Sequence, residues 1–399
     1  MGQAIVDAAA VLGFDPFDPT FRADPYRGYP QPGQLVQTDA GLWVTSSYAL
    51  CEHALRDPSF GHGLGDEGET WRQGPRQRSF LTMDPPDHTR LRRLVSKAFT
   101  PRLVERLRPR VTALVDELLD AAAGSRTDLI SALAYPLPVI VISELLGVPA
   151  ADRDRFKDWS EALARGLDPD FLLPDAEIVR REAARREFNA YFRALAAERR
   201  AAPRDDLLSA LVAVSDDGDA LTEAELLATC VLLLVAGHET TVNLIGNGAL
   251  ALLRNPEQLA LFRSHPDAVP AAVEELLRYD PPVQFTLRTA VVDTELGGTP
   301  LAKGSFVLLL NGMANRDPSV FTEPDRLDVT RYAGGSAARH LSFGQGIHYC
   351  LGAPLARLEG QVALSKLFAR NVTMAAEPVT YRHNLVLRGL ESLHVDLST

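Results

Sequence analysis

The chain of 399 residues has three cysteines, and one of them is set among glycines. Cys350 lies in FGQGIHYCLGAPLAR, residues 343–357. Pro354 falls where the first turn of a helix tolerates proline, and Leu355, Leu358 and Val362 mark one face of that helix. A thiol just ahead of a helix N-terminus feels unpaired N–H groups and the positive end of the helix dipole, which favour thiolate. Gly344, Gly346 and Gly352 let the backbone turn tightly and approach a flat partner closely. A lone thiolate does not make a zinc site. It can serve as a nucleophile or as the axial ligand of a haem iron.

The second constellation is LLLVAGHETTVNLIG, residues 232–246. Thr222 and Glu225 form a candidate capping box that opens this helix. The helix is apolar nearly all round, so it belongs in the interior, yet Glu239, Thr240 and Thr241 interrupt it. Burying a carboxylate costs several kcal/mol unless it is paired, so Glu239 needs a reason. HETT is not the zinc-protease HExxH, because Val242 stands where the second histidine would be. A helix bent by its own threonines is the plain structural reading. Two weaker patterns accompany these. In VEELLRYDPP, Glu275 and Arg278 share a helical face, where a charge pair is ordinarily worth ~0.5 kcal/mol. In MDPPDHTRLRRLVSKAFTP, His88 and Arg92 are four apart on one face, with Arg90 and Arg93 turned elsewhere.

Taken together these stretches resemble the cytochrome P-450 monooxygenases. Phe343, Gly344, Gly346, His348, Cys350 and Gly352 match every fixed position of that family's haem-ligand loop, a coincidence of order ~1e-8 per start site on average residue frequencies. The resemblance implies haem b (iron protoporphyrin IX) held by the Cys350 thiolate within a loop that begins at Phe343. It implies that Glu239 and Thr240 are the acid–alcohol pair delivering protons to dioxygen, and that Gly237 clears room for oxygen in the helix groove. His88, Arg92, Arg288 and His348 match positions that bind the haem propionates. Glu275 and Arg278 match a structural pair completed by an arginine of the later meander, for which Arg326 fits. His238 matches a position where the family tolerates many residues. The implied reaction is oxidation of a mid-sized lipophilic molecule with dioxygen and two electrons from a ferredoxin and its reductase, in the manner of soluble bacterial relatives in secondary metabolism. An acidic ferredoxin would dock on Arg90, Arg93, Arg102 and Arg357. Two other readings stay open: a haem enzyme of this fold that couples phenols or rearranges a substrate without inserting oxygen, and a non-enzymatic haem sensor.

The elements that must position these residues are mostly helical. Apolar residues recur at three- and four-residue spacing over Leu103–Ala123, Leu129–Leu146, Ile178–Arg200, Leu221–Arg254 and Leu355–Ala369. LVQTDAGLWVTS from Leu35 reads as a hairpin, RTAVVDTELGGTPLAKGSFVLLL from Arg288 alternates around glycine turns, and the tail looks extended. The expected fold is mainly α with a small β region, one large domain over 1–399. Gly61–Phe80 and Arg165–Asp175 read as long loops of the kind that form lids or plain surface connections. These loops, with Val235, Ala236, Gln284, Phe285 and Leu390, would line a largely apolar substrate pocket.

Net charge is -11 and the pI near 5.4, a field that repels phosphate backbones and argues against nucleic acid. The N-terminus has no basic signal-peptide region, Val6 breaks a myristoylation signal, and the longest apolar stretch, Leu226–Gly237, is short for a bilayer. No membrane association is expected, and a cytoplasmic location is. Cys51 and Cys230 sit in apolar helical patterns and read as core residues.

Overall fold

The computed structural model describes residues 8–398 apart from 17, 30–32, 64–78, 169, 171–172 and 217–218; most of the first expected loop therefore lies outside the described residues. Nine helices carry the argument: α1 (Tyr48–Arg56), α2 (Asp87–Ala98), α3 (Arg108–Ala122), α4 (Pro136–Leu145), α5 (Arg153–Ala164), α6 (Asp175–Ala201), α7 (Glu223–Arg254), α8 (Val269–Tyr279) and α9 (Ala353–Phe368). Two expected helices are broken by proline, whose ring clashes with the carbonyl four residues back. Leu103–Ala123 becomes Pro101–Arg106 followed by α3, with Pro109 in its first turn. Leu129–Leu146 becomes a π-turn at Ile130–Ala134 followed by α4, which opens on Pro136.

Helix α7 is the axis of the molecule. Its capping box forms as expected: Glu225 N donates to Thr222 Oγ1 at 3.2 Å, and Thr222 N donates to Glu225 Oε2 at 2.9 Å. It packs against α4, α5, α6, α8 and α9. The approach of α9 is close because both helices carry glycine there. A Cβ on Gly248 would stand 3.2 Å from Leu364, and one on Gly360 would stand 3.0 Å from Leu244. By length and composition α7 could cross a membrane, yet 72% of its most apolar window is buried inside the protein.

The β region has two main sheets. β1 (Val36–Gln37), β2 (Trp43–Thr45), β3 (Phe60–Gly61), β5 (Thr286–Ala290) and β8 (Phe306–Leu309) form one in the order β1-β2-β8-β5-β3, antiparallel except for the parallel β2–β8 pair. A small hairpin, β6 (Thr294–Leu296) with β7 (Thr299–Leu301), turns on Gly297-Gly298. The tail supplies β9 (Asn371–Met374), β10 (Thr380–Tyr381), β11 (Leu390–Ser392) and β12 (His394–Ser398). β12 pairs with β9 and also with β4 (Ser125–Asp128). β4 is invisible to local patterning because its partner lies some 270 residues away in the chain.

A buried ion network fixes the region ahead of Cys350. Arg278 and Glu275 on α8 are both fully buried and joined twice, Nε to Oε2 at 2.7 Å and Nη2 to Oε1 at 2.9 Å. Arg278 Nη1 also donates to the carbonyls of Asn315 and Pro324. The third member is Arg331, whose Nε donates to Glu275 Oε2 at 3.0 Å. Arg326, expected in this place, contributes only its carbonyl, and its side chain lies exposed beside Glu323. Both arginines lie in the same irregular meander, so spacing alone did not separate them. Removing one partner from a buried pair strands the other charge, at about 3–5 kcal/mol. Arg278→Ala should therefore destabilise by about that much in denaturant unfolding. Arg331→Ala should cost about 1–3 kcal/mol through a lost charged hydrogen bond, and Arg326→Ala should stay within ~0.5 kcal/mol, as an exposed pair does.

Candidate active site

The loop that carries Cys350 is closed by a hydrogen bond from Cys350 N to Phe343 O at 3.0 Å. Gly346, at φ 67°, is required twice over, because a Cβ there would also run into the Leu55 carbonyl of α1. The loop is tethered at both sides. Arg56 donates twice to Gln345 Oε1, at 2.9 and 2.7 Å. Asn315 accepts from Leu341 N at 2.7 Å and donates to Ser342 Oγ at 2.9 Å, which passes the order of the Arg278 network into the loop. Arg357 on α9 donates to both oxygens of Glu274 and lies over the Phe343 ring at 4.5 Å. The thiol does not have the low pKa that its helix N-terminus suggests. Burial pushes it up and outweighs the pull of the Gly352 and Ala353 N–H groups and of the Arg92 and Arg357 charges. A bound cation would reverse that balance. Among the described residues no group of three His, Cys, Asp or Glu could hold a metal.

Beside this loop the structure gathers imidazole and guanidinium groups. The His88 and His348 rings lie 4.2 Å apart, and the His62 ring lies 4.7 Å from His348. Arg92 donates to Tyr349 O at 2.7 Å. Arg288, on β5, is buried, and burial lowers its pKa to about 10. Burial and the neighbouring positive groups push His348 down to about 2. Both ring nitrogens of His88 and Nε2 of His348 have no hydrogen-bond partner. Asp84 is the acidic neighbour, and it already accepts from the N–H groups of His62 and Gly63. A buried guanidinium and unpaired imidazoles are costly without anions. A flat group with two carboxylates and a metal that takes thiolate fits these donors.

On α7, Ala236 and Thr240 form an open face on an otherwise buried stretch. Thr240 Oγ1 donates to Ala236 O at 2.8 Å and Thr241 Oγ1 to Gly237 O at 3.3 Å. Gly237 itself points at α4: a Cβ there would meet only Ile142, at an ordinary 3.4 Å. Packing against α4 therefore does not by itself require glycine at this position. Glu239 is buried, and Arg382 Nη1 donates to its Oε2 at 2.7 Å. Burial raises the Glu239 pKa more than the charge and hydrogen bond of Arg382 lower it. His238, one residue earlier, is fully buried and shares a 2.6 Å hydrogen bond with Ser160 of α5.

Other expected positions fall elsewhere. Leu390 packs against Gly246 in the core. Gln284 donates to Pro281 O and Tyr26 Oη, and Phe285 joins an N-terminal apolar cluster. Of the proposed docking arginines, Arg90 is spent on Asp219 and Glu225, and Arg357 on Glu274; Arg93 and Arg102 are exposed. Sequence reading missed Arg382, whose partner is 143 residues away. It also missed Glu359 on α9, whose pKa burial raises well above the usual carboxyl range.

A model of the cytochrome P450 family matches residues 38–372. The chain is 43% identical to Cytochrome P450 107B1 of Saccharopolyspora erythraea, over 95% of this chain and 96% of the relative. It is 41% identical to the monooxygenase PikC of Streptomyces venezuelae, over 98% and 96%. Among solved structures, the bacillaene polyketide synthase cytochrome P450 PksS of Bacillus subtilis superposes with a TM-score of 0.86 at 38% identity, covering 97% of this chain and all of that one. Fold and sequence define a haem-containing oxidoreductase of the monooxygenase class. The chain belongs to the cytochrome P450 family.

The support under the cysteine loop makes a pH prediction. Burial alone would raise the Glu274 pKa, but hydrogen bonds from Arg357 and His340 and their charges bring it down to about 2. A depressed carboxyl stabilises the fold fully above its unfolded pKa of ~4.5 and loses that contribution as pH falls toward 2. Glu274→Gln should be less stable than the parent at pH 7 in urea melts, and the gap should close between pH ~4.5 and ~2.

Proposed function

We propose that the protein is a haem b monooxygenase that oxidises a mid-sized lipophilic small molecule in bacterial secondary metabolism, from a cytoplasmic location. The observation that carries this reading is the placement of a buried, Arg382-paired Glu239 directly before the half-buried Thr240 at the open face of α7. In this reading Cys350 is the iron's protein ligand, His88, Arg92, Arg288 and His348 hold the propionates, and Phe343 begins the loop that backs the ring. Bound haem supplies the activation of dioxygen. The chain's own residues do the rest. Glu239 holds a proton at its carboxyl, and Thr240 presents its hydroxyl to the open face. The buried walls around them exclude bulk water, which strengthens every charge and hydrogen bond inside. The identity to polyketide-pathway relatives supports a polyketide-like substrate.

The test is turnover under ¹⁸O₂ with a reconstituted ferredoxin and reductase and a panel of macrolactones and other lipophilic compounds. A product gaining one ¹⁸O is expected. A product that only loses hydrogens would establish the coupling reading instead, and no turnover with any donor would leave a haem sensor. Thr240→Ala should divert most electrons to peroxide, a loss of ~10²-fold or less in product formation if Thr240 assists proton transfer.

We further propose that an acidic ferredoxin delivers the electrons at the face where Ile347 and Tyr349 are exposed beside Cys350. Arg93 and Arg102 supply the positive charge there. Their combined reversal to Glu should slow the first electron transfer at low ionic strength, with the difference shrinking in high salt. An unchanged rate would move the docking site elsewhere.

A further inference from the structure

The side of α7 that faces the C-terminal hairpin carries three buried polar residues one turn apart: Glu239, Asn243 and Asn247. Asn247 Nδ2 donates to the carbonyls of Asp280 and Arg388. Asn243 is only 2% exposed, yet neither of its amide atoms has a protein partner. Asn247 Oδ1 and Gln284 Oε1 also lack one. Such atoms are costly when left dry, and in folded proteins they are met by ordered water. A cavity of about 30 Å³ lies alongside, bounded by Arg22, Gln284, Tyr381, Arg382, Arg388 and Gly389. That is space for one or two waters. Gly389 backs directly onto Asn243, since a Cβ there would overlap the amide. Arg382 lines this cavity and is 21% exposed, and its side chain bonds the carboxylate of Glu239, which is 3% exposed.

We infer that this cavity is the water port through which protons reach Glu239, with Arg382 as the positioning residue that holds the carboxylate at its inner end. The inference rests on the reading of Glu239 as proton donor. A solvent proton passes along the waters to the Glu239 carboxylate, and the acid then yields a proton toward Thr240 and returns to carboxylate. One proton enters and one leaves, no electrons move, and only O–H bonds change. Arg382 balances the charge each time the acid is empty. Asn243 holds the inner water with an amide that can donate and accept.

The experiment uses the haem-loaded full chain with Gly389→Ala, Asn243→Leu, Arg382→Gln, Arg382→Lys and Glu239→Gln. Three quantities are read: product formed per electron pair, the solvent deuterium isotope effect on turnover, and the substrate affinity from optical titration. Gly389→Ala, Asn243→Leu and Arg382→Gln should each lower product per electron pair by about threefold or more, with a larger isotope effect and unchanged substrate affinity. Arg382→Lys should recover most of the yield. If Gly389→Ala fails to fold, Asn243→Leu carries the test, because it removes the amide at similar volume. Parent-like yield and isotope effect in these variants, with Glu239→Gln impaired, would overturn the port and leave the role of Glu239 standing. A parent-like Glu239→Gln would overturn the functional reading itself. A changed substrate affinity at unchanged yield would overturn the port and assign the cavity to substrate.

Discussion

The structure depends on a salt bridge that lies well away from the chemistry. Glu275 and Arg278 are wholly buried, and a buried ion pair contributes little stability of its own once desolvation is counted. Its value is positional. Every polar atom of the Arg278 guanidinium is engaged, by Glu275 or by carbonyls of the 315–326 meander. Glu275 in turn accepts from Asp328 N and Arg331. A segment of coil with no secondary structure is thereby given one conformation. Asn315, whose own carbonyl is held by Arg278, then fixes Leu341 and Ser342 at the mouth of the cysteine loop. Gln345 and Arg56 pin the next turn to α1. The thiol is thus held by irregular backbone made rigid with charged hydrogen bonds, where a helix or strand could not bend tightly enough.

The second constraint is α7. A 32-residue helix buried on nearly all sides can carry a carboxylate only with a partner, and Arg382 supplies it from a hairpin that is next to α7 in space and far from it in sequence. Glu239, Asn243 and Asn247 make one polar seam along an apolar rod. The opposite choice is made at Ala236 and Thr240, where the helix is left open. One helix therefore carries both a buried polar seam and an open face.

Much of this was legible in the sequence because it was local. The glycine-rich loop around Cys350, the Thr222–Glu225 capping box, the Glu275–Arg278 pair and the hairpin around Gly297-Gly298 each depend on residues within ten positions of one another. What failed was long-range. β4 pairs with the tail, Arg382 reaches Glu239, and His62 joins His348 only after folding. Arg331 and Arg326 lie five apart in coil, where no periodicity says which side chain turns inward. Leu390 and Gln284 belong to packing and to the hairpin side, which hydrophobicity alone could not decide.

The central claim is that Cys350, held in this loop, is the protein ligand of a haem iron. The most direct test is the optical spectrum of the dithionite-reduced protein under carbon monoxide, for the parent and for Cys350→His. The parent should show the Soret band at the wavelength for which the family is named, and Cys350→His should bind haem and lose that band. A parent spectrum of the histidine-ligated type, or a freshly purified protein without haem, would contradict the account.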